Sequence, residues 1–112
     1  MPNSKYKVLW SPIAEHDLEK IILYIAEENP INAANILERI EEKAEKLIHH
    51  PHKGTIVPEL KNFFIKSYLQ VTTKPWRVIY RINNNIVYVV AVLDGRRDLE
   101  EILLQRITRI GR

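Results

Sequence analysis

Trp76-Arg77-Val78-Ile79-Tyr80-Arg81-Ile82-Asn83-Asn84-Asn85-Ile86-Val87-Tyr88-Val89-Val90-Ala91-Val92-Leu93 is the stretch on which the fold turns. Aromatic and β-branched residues fill both halves, and both halves read as strands. Three asparagines separate them, and asparagine tolerates positive φ better than other non-glycine residues, so the pair closes as a tight hairpin. Residues 86–93 are almost wholly apolar, the mark of a central strand covered on both faces. In the first half, Arg77, Ile79 and Arg81 face one way and Val78, Tyr80 and Ile82 the other.

Working outward, residues 64–71 alternate, with Phe64, Lys66, Tyr68 and Gln70 against Ile65, Ser67, Leu69 and Val71. This predicts a neighbouring strand, separated from the hairpin by Lys74-Pro75. Further upstream the period becomes helical. Ala14, Leu18, Ile21, Ile22 and Ile25 make one apolar stripe, and Ala33, Leu37, Ile40, Ala44, Leu47 and Ile48 a second. Ser11-Pro12 and Asn29-Pro30 start the two helices, each with a side-chain oxygen for the orphan N–H groups and a proline where no donor is needed. The short link between them leaves only a helical hairpin. Residues 5–10 read as an N-terminal strand, and His49-His50-Pro51-His52-Lys53-Gly54 closes the second helix. Downstream, Leu99, Ile102, Leu103, Arg106 and Ile110 fall at helical intervals behind Asp98. The expectation is one α+β domain over residues 1–112. It has an N-terminal strand, a helical hairpin on a small antiparallel sheet of three to five strands, and a short C-terminal helix.

The 112 residues suffice for a single core without staples. The absence of cysteine excludes disulfides, thiolate metal sites and thiol nucleophiles, and suits a cytoplasmic protein. No apolar run spans a bilayer and the first residues do not form a signal peptide, so no membrane association is expected. Charge is divided unevenly. Residues 1–60 carry seven Lys and Arg against ten Asp and Glu, whereas residues 61–112 carry ten against four. The cationic half should face an anionic partner, either nucleic acid or an acidic protein segment.

Chemical motifs are few. His49, His50 and His52 sit at a helix end broken by Pro51, where the macrodipole favours them, and adjacent residues on a helix point about 100° apart. No metal site follows. Three glycines cannot build a phosphate loop, and neither Ser11 nor Ser67 occupies a nucleophile elbow. What remains is cationic: Lys66, Arg77, Arg81, Arg96 and Arg97. Arg77 and Arg81 share a face that should be open or partly covered, since unpaired arginine is costly in a core. With Lys66 and Arg96-Arg97 they would bind phosphate, or equally a partner's carboxylates. Trp10 and Tyr80 read as core fillers; Tyr68 and Trp76 are left as filler or stacking surface.

Several pieces, in order over nearly the whole chain, resemble the RelE/ParE superfamily of toxins. They are Val8-Leu9-Trp10-Ser11-Pro12 with Ala14 and Asp17-Leu18, then Tyr24-Ile25-Ala26, Asn29-Pro30, Pro51 with Gly54, and Val57-Pro58-Glu59-Leu60. Trp76-Arg77-Val78-Ile79-Tyr80-Arg81-Ile82 and Asp94-Gly95-Arg96-Arg97-Asp98-Leu99 complete the set. The resemblance implies the toxin half of a type II toxin–antitoxin module of the plasmid-stabilisation kind, silenced by a cognate antitoxin and needing no cofactor.

The superfamily divides by target. The RelE-like branch consists of metal-independent endonucleases that cut mRNA at the ribosome. Under that reading Lys66, Arg77 and Arg96 are the catalytic cations. The chain lacks that branch's C-terminal tyrosine or histidine, reading Leu99-Glu100-Glu101-Ile102-Leu103-Leu104, and has Lys66-Ser67 where an Arg-Glu pair is frequent. The ParE-like branch inhibits DNA gyrase by direct binding. The long hairpin, the Trp10-Ser11-Pro12 opening and the missing tyrosine lean this way, with Trp76, Arg77, Arg81, Arg96 and Arg97 as the surface for target or antitoxin. An inert module that binds only its antitoxin is the third reading.

Overall fold

The computed structural model describes residues 6–110. Lys5, expected in the first strand, and the Ile110 side chain, expected on the last apolar stripe, lie outside what is described. Strand β1 (Lys7–Trp10) leads into the helical hairpin of α1 (Pro12–Ala26) and α2 (Pro30–Glu45), which ends in a 3₁₀ turn (Lys46–Ile48). Strand β2 (Thr55–Ile56) and helix α3 (Pro58–Lys61) precede β3 (Tyr68–Thr73), β4 (Trp76–Asn83) and β5 (Ile86–Asp94), and α4 (Glu100–Ile110) follows. The Ser11 hydroxyl accepts from the Ala14 N–H, and the Asn29 side-chain oxygen from the Asn32 N–H, so both helices of the hairpin begin on the expected caps.

The five strands run β1-β5-β4-β3-β2. Pairings β2–β3, β3–β4 and β4–β5 are antiparallel. Strand β1 corrects the expectation of a uniformly antiparallel sheet, because it lies parallel to β5 with Val8 opposite Val87 and Trp10 opposite Val89. Residues 11–85 intervene between these strands, and a long connection is what a parallel pair requires. The asparagine turn forms as read, with Asn84 at φ 57°.

Each face of the sheet has its own core. On one, Val78, Tyr80, Val87, Val89 and Val92 pack beneath Ala14, Leu18, Ile40 and Leu47 of the hairpin and its 3₁₀ turn. On the other, Tyr68, Ile79, Val90 and Ala91 pack against Val57 and Leu60 around α3 and Leu99 and Leu103 at α4. Consecutive residues Val90 and Ala91 therefore share a face. The cause is a β-bulge: Tyr80 pairs with Val89 but Ile79 with Ala91, which leaves Val90 unpaired and re-phases the strand.

Candidate functional site

Strand β4 places Arg77, Ile79 and Arg81 on the α3 side of the sheet, so the predicted shared face is correct, but it is not open. Arg77 is buried at 8% exposure. Its Nη1 donates to Glu59 Oε1 at 3.0 Å and Gln70 Oε1 at 2.8 Å, and its Nη2 donates to Glu59 Oε2 at 2.6 Å. Glu59 stands on the short helix α3, which proline starts at Pro58, and Gln70 projects from β3. Gly95 closes the remaining edge: a Cβ there would come within 3.0 Å of Arg77 Nε. The Arg77 hydrogen bonds hold the Glu59 carboxyl below the ordinary carboxylate value, against the opposing effect of burial. Both terminal nitrogens are thereby engaged inside the protein, while Nε is buried without a hydrogen-bond partner.

The other expected cations also separate. Lys66 precedes β3 instead of lying on it, because a turn at residues 62–64, in which Phe64 adopts φ 63°, and an irregular stretch after it delay the strand to Tyr68. Tyr68 pairs with Arg81 and Thr72 with Arg77. Lys66 therefore lies beyond the Tyr68 end of β3, whereas Arg77 pairs four residues, roughly 13 Å, further along that strand. Arg81 sits over the Tyr88 ring at 4.9 Å, a cation–π contact. Tyr68 is buried, which excludes it as a stacking surface, and burial raises its phenol pKa. Trp10 and Tyr80 are core residues as read.

Arg96 belongs to a different cluster. A concavity of about 240 Å³ opens between α2 and the β3–β4 turn, lined by Arg39, Lys74, Arg96, Trp76 and the apolar Ile25 and Ile36. Gly95 N–H donates to the Pro75 carbonyl at 2.7 Å and ties the Arg96 loop to this turn. Asp94 orients Arg96: Oδ1 accepts from its backbone N–H at 2.9 Å and its Nε at 3.0 Å, and Oδ2 from Nη2 at 2.8 Å. These bonds hold the Asp94 carboxyl down at about 2. Nη1 stays available, so the concavity combines three cations with a half-buried indole. Arg97 is exposed beside it. Arg39 and Lys74 were not legible as site residues, since neither stands near the others in sequence. Glu59 was visible within Val57-Pro58-Glu59-Leu60, but nothing local marked it as the partner of Arg77.

Among the described residues no group of three His, Cys, Asp or Glu is arranged to hold a metal, and no helix is long and apolar enough to cross a membrane.

Residues 8–99 match the family model for the ParE toxin of type II toxin–antitoxin systems. The chain belongs to the ParE toxin family. Toxin ParE3 of Caulobacter vibrioides is 32% identical over 88 residues, covering 74% of this chain and 80% of that one. Three solved structures share the fold of this ParE-family toxin. A chain of the chromosomal ParDE system of P. aeruginosa superposes with a TM-score of 0.68 at 16% identity, over 82% of this chain and 98% of that one. A chain of the RelBE2 toxin–antitoxin complex of Mycobacterium tuberculosis gives 0.58 at 23%, over 80% and 98%. A substituted E. coli RelE in the free state gives 0.64 at 12%, over 95% and 98%. The superfamily expected from the sequence is thus the one found, on the ParE side.

Proposed function

We propose that this toxin arrests growth in the cytoplasm by binding DNA gyrase and blocking it, and that a cognate antitoxin silences it by binding. The observation that carries the choice is the burial of Arg77 in a bidentate pair with Glu59. An endonuclease of this fold would need that cation on the scissile phosphate, where developing charge must be held. Here it is buried with both terminal nitrogens bonded to Glu59 and Gln70, Lys66 lies outside β3, and the C-terminal helix offers no tyrosine or histidine to transfer a proton. Binding demands none of this. The similarity to Toxin ParE3 and to a chain of a ParDE system supports the same branch and an antitoxin partner.

The contact surface we assign to gyrase is the concavity of Arg39, Lys74, Trp76 and Arg96 with neighbouring Arg97. A half-buried aromatic ringed by guanidinium groups is the composition of an interface anchor. Purified toxin added to a supercoiling reaction should stop gyrase. Full supercoiling at a large excess of toxin, together with ribosome-dependent mRNA cuts mapped by primer extension after induction, would overturn the reading.

A further inference from the structure

Helix α3 ends in a turn whose key position holds an unexpected residue. The Ile65 N–H donates to the Leu60 carbonyl at 3.0 Å, and the Phe64 N–H to the Lys61 carbonyl at 2.9 Å. One bond enclosing the other in this way is the Schellman motif, whose left-handed residue is usually glycine and sometimes asparagine. Here that residue is Phe64, at φ 63°. A side chain in this region is strained against its own backbone. The fold gains nothing in return, because Phe64 is 89% exposed. The apolar contact that normally accompanies the motif falls to Ile65, which packs against the core cluster that holds Leu60. Phe64 is the most exposed large apolar side chain among the described residues, and Phe63 beside it is 46% exposed.

Folding alone does not account for two phenyl rings on a turn that glycine would make better. What the turn supplies is rigidity. Its hydrogen bonds fix the backbone, so the rings are presented without the ordering cost that a loose loop incurs on binding. The surroundings set the charge of the partner. Lys61 and Lys66 flank the rings and are exposed. Glu59 is taken by Arg77, and no other acidic residue occurs between it and Asp94. We infer that Phe64, with Phe63, is an apolar anchor that enters a pocket on the protein target, whose rim carries carboxylates for Lys61 and Lys66. This rests on the gyrase reading and adds a second contact to it. Strand β3 links the two contacts: Thr73 at one end leads to Lys74 of the cationic concavity, and Tyr68 at the other follows the Phe64 turn, about 17 Å away at 3.4 Å per residue. Strand β2 pairs with only two residues of β3, so a protein lying along this edge of the sheet reaches both ends. Two rings bury too little to hold a membrane surface, and a DNA duplex would have to unstack to admit them. A preformed apolar pocket demands neither.

The test compares Phe64→Gly with wild type in a gyrase supercoiling reaction and in a thermal melt. Glycine relieves the left-handed strain, so the variant melts at or above the wild-type temperature. The toxin concentration that stops supercoiling should nevertheless rise on the order of tenfold, as loss of one anchor does. Phe64→Trp, which keeps a ring, retains most of the inhibition, and Lys61→Glu with Lys66→Glu weakens it. A wild type that never stops gyrase overturns the gyrase reading and this contact with it. A wild type that stops gyrase beside an equally potent Phe64→Gly overturns the anchor alone. Inhibition lost in step with a lowered melting temperature also overturns it, by making Phe64 a structural residue. So does binding to anionic vesicles, to linear duplex DNA without gyrase, or to a second copy of this chain that Phe64→Gly abolishes while inhibition persists.

Discussion

Asp17 on α1 and Arg106 on α4, 89 residues apart in sequence, meet at 2.9 Å over the outer edge of β5. Strand β1 ends opposite Val89, and among the described residues no strand pairs with the edge beyond it. The two side chains supply what the missing strand would. Asp17 Oδ2 accepts from the Val92 N–H at 3.0 Å, and Arg106 Nη1 donates to the Val90 carbonyl at 3.1 Å. One ion pair thus satisfies the backbone beside the bulge and joins the helices on opposite faces of the sheet.

Removing one partner should therefore cost more than a surface pair would. The side chains are only 10% and 13% exposed. Asp17→Ala leaves a buried guanidinium without its counter-charge and the Val92 N–H unsatisfied, and should cost about 3 kcal/mol. Asp17→Asn keeps an acceptor for Val92 and should cost clearly less. Urea midpoints of the two variants check the order; equal losses would show that the backbone bond contributes nothing.

Arg77 is expected to behave as a structural residue. Arg77→Ala uncovers Glu59 and Gln70 and should lower stability by about 3 kcal/mol. Growth arrest should fall in step with the soluble folded fraction. Arg77→Lys should recover little, because an ammonium cannot make the bidentate pair. A variant that melts normally yet no longer arrests growth would restore Arg77 to the target surface.

Acid should loosen the same contact. Glu59 is held below its ordinary value of 4.5, and Asp94 is lowered from 3.8 to about 2. A depressed carboxylate stabilises the fold above its unfolded pKa and loses that contribution as pH falls through its folded value. Unfolding free energy should be level above about pH 5 and decline below 4.5, and Glu59→Gln should flatten part of the decline. Chemical denaturation across this range, with wild type and variant side by side, decides it.

The Tyr80 hydroxyl offers a separable test within the hairpin-side core. It donates to the Pro51 carbonyl at 2.8 Å and accepts from the Gly54 N–H at 3.0 Å, pinning the segment after α2 to the sheet. Tyr80→Phe keeps the packing and should cost about 1–2 kcal/mol. Gly54→Ala should also destabilise, since its Cβ would come within 2.7 Å of the Gln70 carbonyl, a backbone atom that cannot swing away. Thermal melts measure both.

In the triple variant Arg39→Ala, Lys74→Ala and Arg96→Ala, the first two changes should leave stability within about 0.5 kcal/mol, as substitutions at exposed positions usually do, and the third should add a small loss by releasing Asp94 while the fold is kept. Inhibition of supercoiling should weaken on the order of tenfold or more. A triple variant that inhibits as strongly as wild type removes the concavity from the interface.

Elements with a strong local signal were legible in the chain: both helices of the hairpin with their Ser11 and Asn29 caps, the asparagine turn, and the central β5. Periodicity and capping are short-range, so residues a few positions apart carry them. The start of β3 was misread because the alternation of residues 64–71 continues through a turn that Phe64 enters at positive φ. The slip at Val90 was equally hidden, since a bulge depends on the facing strand.

What the sequence by itself determined was the α+β layering, the family and the identity of the cations. What only the tertiary structure decided was where those cations go. Arg77 is consumed by Glu59 across 18 residues, and Arg96 joins Arg39 and Lys74 from separate elements. A charge's sign is a property of its residue, but its availability depends on distance and burial, and those exist only once distant segments have packed.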